Sequence, residues 1–222
     1  MPATRPSCAL PDLPRASWTT HPNYPTQALL LNGHAHFRTI SRALRERADT
    51  VAQQLADGSA TSPSALAERL TASLVAFHQW TRMMRSHEHY EEHKLYPYLA
   101  HRYGLSTAQM EGEHASLHQT GDAVSTAFLE AIVGLSGSDT TSVHAAHEAV
   151  ERLQEALRAH DMNLLEHLEH EEDTVIPLLL HLPREEFRRY YEGHIATLLK
   201  ESTSCADQCE AQMRAPMPSG PS

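Results

Sequence analysis

The 222-residue chain repeats itself at an offset of 80 residues, and the repeat carries its most unusual side chains. HEHYEEHKLYPYLAH at 87–101 lies over HLEHEEDTVIPLLLH at 167–181. His87 therefore matches His167, Glu91 matches Glu171, Glu92 matches Glu172 and Pro97 matches Pro177; His34 and His114 keep the same spacing. A segment repeated with its spacing intact is one supersecondary unit used twice. Whatever fold the chain adopts must place two copies of the same imidazole and carboxylate pattern.

Turn clusters divide the chain into helical stretches. A first helix is expected over 26–56, ending in DGSATSPS. A second begins at Pro63 behind Ser62 as N-cap and runs to about Ala100, with Pro97 kinking or ending its last turn. The third follows RYGLS, with Ser106 as cap, and stops in the cluster at 134–138. The fourth spans about 142–181, again with a late proline. Short connections favour antiparallel neighbours, so the expected fold is all-α. Specifically, it is an up-down-up-down four-helix bundle over 26–181, built from two pseudo-twofold hairpins. A Pro-rich arm over 1–25 is expected to be flexible. A further helix is expected over 182–213, with a disordered tail over 214–222.

Composition agrees: only 9 glycines, 6% aromatics and an apolar fraction of 41% dominated by Ala and Leu. A net charge of −10 argues against nucleic acid as a partner, because no face would neutralise phosphates. No apolar run is long enough for a membrane span, and no signal-peptide core follows Arg5. Cys8, Cys205 and Cys209 cannot make a disulfide framework, which suits reduced thiols and a cytoplasmic setting. Histidine is the outlier, at 17 residues, and makes metal binding the first chemistry to test.

His-x-x-x-Glu is weak as a single motif, and the chain holds further copies at His144/Glu148, His147/Glu151 and His181/Glu185. Repetition before a proline selects His87/Glu91 and His167/Glu171. So does facing: positions four apart on a helix lie about 40° apart. The apolar stripe Leu66, Phe77, Trp80, Met84 runs into His87 and Glu91. Ala149, Leu153, Leu157 and Leu164, with His160, run into His167 and Glu171. Carboxylates buried without partners cost several kcal/mol. A metal-free hydrogen-bond network would explain either half alone; both halves together, with one more His from each remaining helix, fit cations. Imidazole with carboxylate suits iron, zinc or manganese, and the ligand count suits two ions roughly 3.5–4 Å apart. The ferritin-like alternative needs two Glu-x-x-His pairs, and only Glu111/His114 has that spacing.

The order of these residues resembles the hemerythrin family in its HHE cation-binding form: His, then His-x-x-x-Glu, then His, then His-x-x-x-Glu, over about residues 26–181. The resemblance implies two non-haem irons, with His34, His87, His114 and His167 as terminal ligands and Glu91 and Glu171 as bridges. It also makes His118, one turn beyond His114, a candidate fifth imidazole, the alternative being a supporting or surface role, with Arg38 in the matching place on the first helix. His36 points about 200° from His34 and is a weak competitor, and His194 is an incidental match. The family's oxygen carriers have an Asp where this chain has Glu172. Its iron–sulfur repair members carry an N-terminal cysteine pair that a lone Cys8 does not supply. The function implied is binding of O2, NO or peroxide for sensing, storage or detoxification. A diiron oxidase, oxygenase or peroxidase is the alternative. Five imidazoles would favour reversible binding, and four would leave both irons open. Trp80 and His160 are expected to line an adjoining cavity, with His160 either a proton relay or a satisfied core residue.

Overall fold

A computed structural model describes residues 13–58, 62–136 and 140–191, with the side chains of 140–143 and 190–191 left aside. Among them every regular element is helical. A 3₁₀ turn at Arg15–Thr20 leads to α1 (Tyr24–Gln27) and α2 (Leu30–Ala56). Then come α3 (Pro63–Tyr90), a π-helical turn at Glu91–Leu95 and α4 (Tyr96–Tyr103). α5 (Ala108–Ser136), α6 (Thr140–His181) and α7 (Arg184–Tyr191) complete the order.

Local chemistry sets several of these boundaries. Ser62 Oγ accepts the N–H of Ala65 at 3.3 Å, with Pro63 at the first helical position, so the expected cap of α3 is in place. α4 stops at Gly104, whose φ of +77° is the left-handed conformation that lets its N–H reach the Ala100 carbonyl at 2.8 Å. The expected helix over 63–100 is interrupted rather than kinked. Pro97 offers no N–H and its ring would press on the His93 carbonyl; the turn widens at 91–95, where the N–H of Tyr96 bonds back to Glu91. Pro177, its repeat mate, sits inside a continuous α6.

α2 packs on α3 and α6, and α5 packs on α3 and α6. Two apolar clusters hold these helices. One is built from Phe37, Leu44, Leu70, Phe77, Trp80, Phe128, Leu153 and their neighbours. The other contains Trp18, Leu30, Leu95, Tyr96, Leu99, Met110, Ile176 and Leu180. Each fully buried Leu or Phe contributes roughly 1.5–3 kcal/mol. On every long helix at least one predicted ligand falls where one cluster gives way to the other: His34, His87, His114 and Glu171.

The arm expected over 1–25 is ordered from residue 13. Trp18 is 4% exposed and donates its indole N–H to the Leu13 carbonyl. Arg15 reaches Glu172, Asp173 and the Glu169 carbonyl on α6. Proline content suggested a flexible arm, and it could not show the 3₁₀ turn at Arg15–Thr20 or that one buried indole and one arginine tie the segment down. Residues 1–12 lie outside the described residues. So do His194, Cys205, Cys209, the rest of the expected helix over 182–213 and the tail. Among the described residues no helix is long and apolar enough to cross a membrane.

Candidate metal centre

Four of the seven predicted ligands form one tight group: His34, His87, Glu91 and Glu171 each present a donor atom within 4.8 Å of the others'. His34 Nε2 lies 3.2 Å from Glu171 Oε2, His87 Nε2 2.8 Å from Glu91 Oε1, and the two Nε2 atoms lie 3.3 Å apart. His114 and His167 face them across the same carboxylates. Their Nε2 atoms are 3.2 Å apart, with His114 3.7 Å from Glu91 Oε2 and His167 3.9 Å from Glu171 Oε2. Both glutamates are 0% exposed, and Glu91 Oε1, Glu91 Oε2 and Glu171 Oε2 have no hydrogen-bond partner.

The rings are held from behind. His34 Nδ1 meets Glu172 Oε1 at 3.1 Å, His114 Nδ1 meets Glu92 Oε1 at 2.8 Å and His167 Nδ1 meets Glu113 Oε2 at 3.1 Å. A carboxylate only accepts, so each Nδ1 carries the proton and donates it; the tautomer is assigned from the partner. The Nε2 atoms of these three rings then present lone pairs. Paired lone pairs facing two carboxylates repel one another unless positive charge sits between them. Donation of the other ring N–H to a carboxylate is the usual support of a metal-bound histidine.

Electrostatics give the same reading. Burial and the neighbouring Glu171 carboxylate push Glu91 far above the usual carboxylate range. Glu171 is held below it: burial opposes this, but the close approach and charge of His34 prevail. Burial also opposes a charge on His34, yet Glu171 and Glu172 raise it to about 9. His87 is lowered to about 4 by burial and by the charge of His34. Both shifts favour the protonated forms of His34 and Glu91 when no cation is bound. A divalent ion is the group that would release both.

His118 departs from expectation. It is 46% exposed and its Nε2 lies 2.6 Å from Glu88 Oε2, outside the cluster. Glu88 is almost fully buried and captures the ring before it can turn inward. Arg38, its repeat mate, instead meets Glu172 Oε1 at 2.6 Å. His144 is a surface residue beside Glu148, and His181 Nδ1 donates to the Pro177 carbonyl. His160 lines a cavity of about 460 Å³ with Glu88, His118 and Gly121. Trp80 does not line it; it meets His160 edge-on, at 5.4 Å between ring centroids. The His160 Nδ1 is paired with Thr120 Oγ1 at 2.8 Å, and burial lowers the ring to about 4.

The sequence reading missed Tyr96. Its hydroxyl donates to Glu171 Oε1 at 2.9 Å and its ring stacks over His114. Burial and the Glu91 and Glu171 carboxylates push the phenol well above its ordinary range, so it remains a donor. No repeat signal could flag it, because the matching residue is Ile176. Glu92 and Glu172 were visible in the repeat, but their task of holding the rings from behind was not. Glu113 had no signal at all, since its counterpart is Gly33. Comparison with protein-family models, with curated proteins and with solved structures finds no match.

Proposed function

We propose that this chain is a non-haem diiron protein that binds O2, NO or peroxide between its helices, for sensing, storage or detoxification. The observation that carries the reading is the convergence of four imidazole Nε2 atoms on two buried glutamates, of which Glu91 Oε1, Glu91 Oε2 and Glu171 Oε2 have no hydrogen-bond partner. Glu91 and Glu171 each face both histidine pairs, so two ions, each with two imidazoles and a share of both carboxylates, match the donor set. Imidazole and carboxylate donors suit iron, and the resemblance to hemerythrins favours it over zinc and manganese. Iron held there supplies the site with redox chemistry toward small diatomic and peroxide molecules.

The fold reading supports this. Ligands fall near the start of α2, the end of α3, the start of α5 and the end of α6, which fits an up-down-up-down bundle of two pseudo-twofold hairpins. The protein's own part is to fix the rings through Glu92, Glu113 and Glu172 and to shield the cluster between two apolar layers.

One observation favours a second reading, a diiron oxidase, oxygenase or peroxidase. His118 is held by Glu88, so four imidazoles serve the pair and both ions keep an open position. A single experiment tests both. The protein is loaded anaerobically with ferrous iron, two ions per chain are expected, and oxygen is then added. A spectrum that reverses under vacuum supports binding. Irreversible oxidation with peroxide turnover supports the enzyme. Failure to hold iron after desalting overturns both.

A further inference from the structure

The two bridging glutamates are not equivalent, and the difference has a visible cause. All imidazole approaches to Glu171 are to Oε2: 3.2 Å from His34 and 3.9 Å from His167. Its other oxygen, Oε1, accepts the Tyr96 hydroxyl at 2.9 Å. Glu91 presents Oε1 to His87 and Oε2 to His114, and neither oxygen has a hydrogen-bond partner.

The backbone explains why only one half has the phenol. In an α-helix residues five apart differ by about 140° around the axis, so Ile176, five after Glu171, turns away into the apolar layer. Between Glu91 and Tyr96 the chain takes a π turn closed by the bond from Tyr96 N–H to the Glu91 carbonyl. That wider turn brings residues five apart nearly one above the other. Tyr96 therefore faces the same side as Glu91, is 1% exposed, and is pinned by stacking at 6.1 Å on His114. π turns recur at functional sites.

We infer that Tyr96 is a positioning residue that fixes the bridging mode: it holds Glu171 Oε1 so that Glu171 joins the two ions through Oε2 alone, while Glu91 joins them through both oxygens. The inference rests on the two-metal reading above. It makes the two bridges unequal, where the repeat by itself would make them alike.

The test uses the full chain loaded with Mn²⁺, whose exchange coupling, read by the temperature dependence of its EPR spectrum, depends on the bridge. Tyr96→Phe is expected to keep the metal content and the melting temperature of the loaded protein while shifting the coupling, as the freed Oε1 turns toward an ion. Unchanged coupling at full metal content would sink this inference and leave the two-metal reading standing. Fewer than two manganese ions per wild-type chain removes the two-metal reading, and this inference with it. A crystal structure of the loaded wild type decides without any variant: Oε1 still on Tyr96 supports the inference, and Oε1 on a metal overturns it.

Discussion

The half made of α2 to α4 and the half made of α5 and α6 carry the same three candidate ligands, His34, His87 and Glu91 against His114, His167 and Glu171, with different supports. The ring-holding carboxylates are exchanged between halves, Glu172 for His34 and Glu92 for His114, as a twofold relation requires. Around them the relation fails. Glu113 supports His167, but Gly33 stands at the matching position and leaves His87 without a carboxylate on Nδ1 among the described residues. His87 is also the most open of the four rings, its side chain 19% exposed against 3% for His167. Glu172 is gripped by Arg15 and Arg38, and among the described residues no arginine grips Glu92. The repeated residues set which chemistry is possible, and the unrepeated ones make its two positions differ.

The largest expected effect removes the pattern itself. His87→Ala or Glu171→Ala should lose bound metal and with it the stabilisation that metal lends the folded state, about 4 kcal/mol at a thousandfold excess over Kd. Melting with and without Fe²⁺, alongside metal analysis, checks this; both variants still melting higher with metal would break the comparison at its base.

Next comes the pair Trp80 and His160, matched in the repeat but only one of them titratable. His160 is lowered by burial to about 4, so the native state keeps it neutral where the unfolded chain binds a proton. Its contribution is complete above the unfolded value near 6.5 and is lost as pH falls toward about 4, roughly 3 kcal/mol in all. Urea denaturation of metal-free protein across that window should show a flatter pH dependence for His160→Gln by that amount. Parallel curves would remove the residue from the pH response.

The supports rank third. Glu92→Gln and Glu172→Gln should each weaken metal binding by roughly 10–100-fold, as measured by Mn²⁺ titration. The loss should be greater for Glu172→Gln, which also removes the charge that Arg38 and Arg15 Nη1 meet. Equal losses would say the arginines are bystanders.

The smallest effect restores the missing symmetry. No atom lies within 4 Å of a Cβ built on Gly33, so Gly33→Glu has room to give His87 the carboxylate that Glu113 gives His167. Replacing glycine inside α2 should add up to about 1 kcal/mol to the stability of the metal-free protein. It should also tighten Mn²⁺ binding by less than the factor lost on removing Glu92 or Glu172. Weaker binding would show that His87 works best with its Nδ1 open.

Helix order was legible because it rests on local signals: Ser62 before Pro63, the turn clusters, and stripes such as Leu66, Phe77, Trp80 and Met84, all of them buried. His34, His87, Glu91, His114, His167 and Glu171 were legible because a periodic pattern puts them on the stripe and a repeat puts them there twice. His118 was misread because one helical turn from His114 says which way a ring leans, not which carboxylate it meets first. Glu88, the residue that captures it, sits on another helix and has Leu168 as its repeat mate.

The sequence by itself determined the all-helical state and the imidazoles and carboxylates planted along the apolar seam, because both follow from spacing along one chain. Only the tertiary structure decided which ring each carboxylate holds, that Arg15 reaches Glu172, and that a π turn swings Tyr96 onto Glu171. Those outcomes depend on the distance between side chains on different helices and on a widened turn. A pattern read at about 100° per residue contains neither.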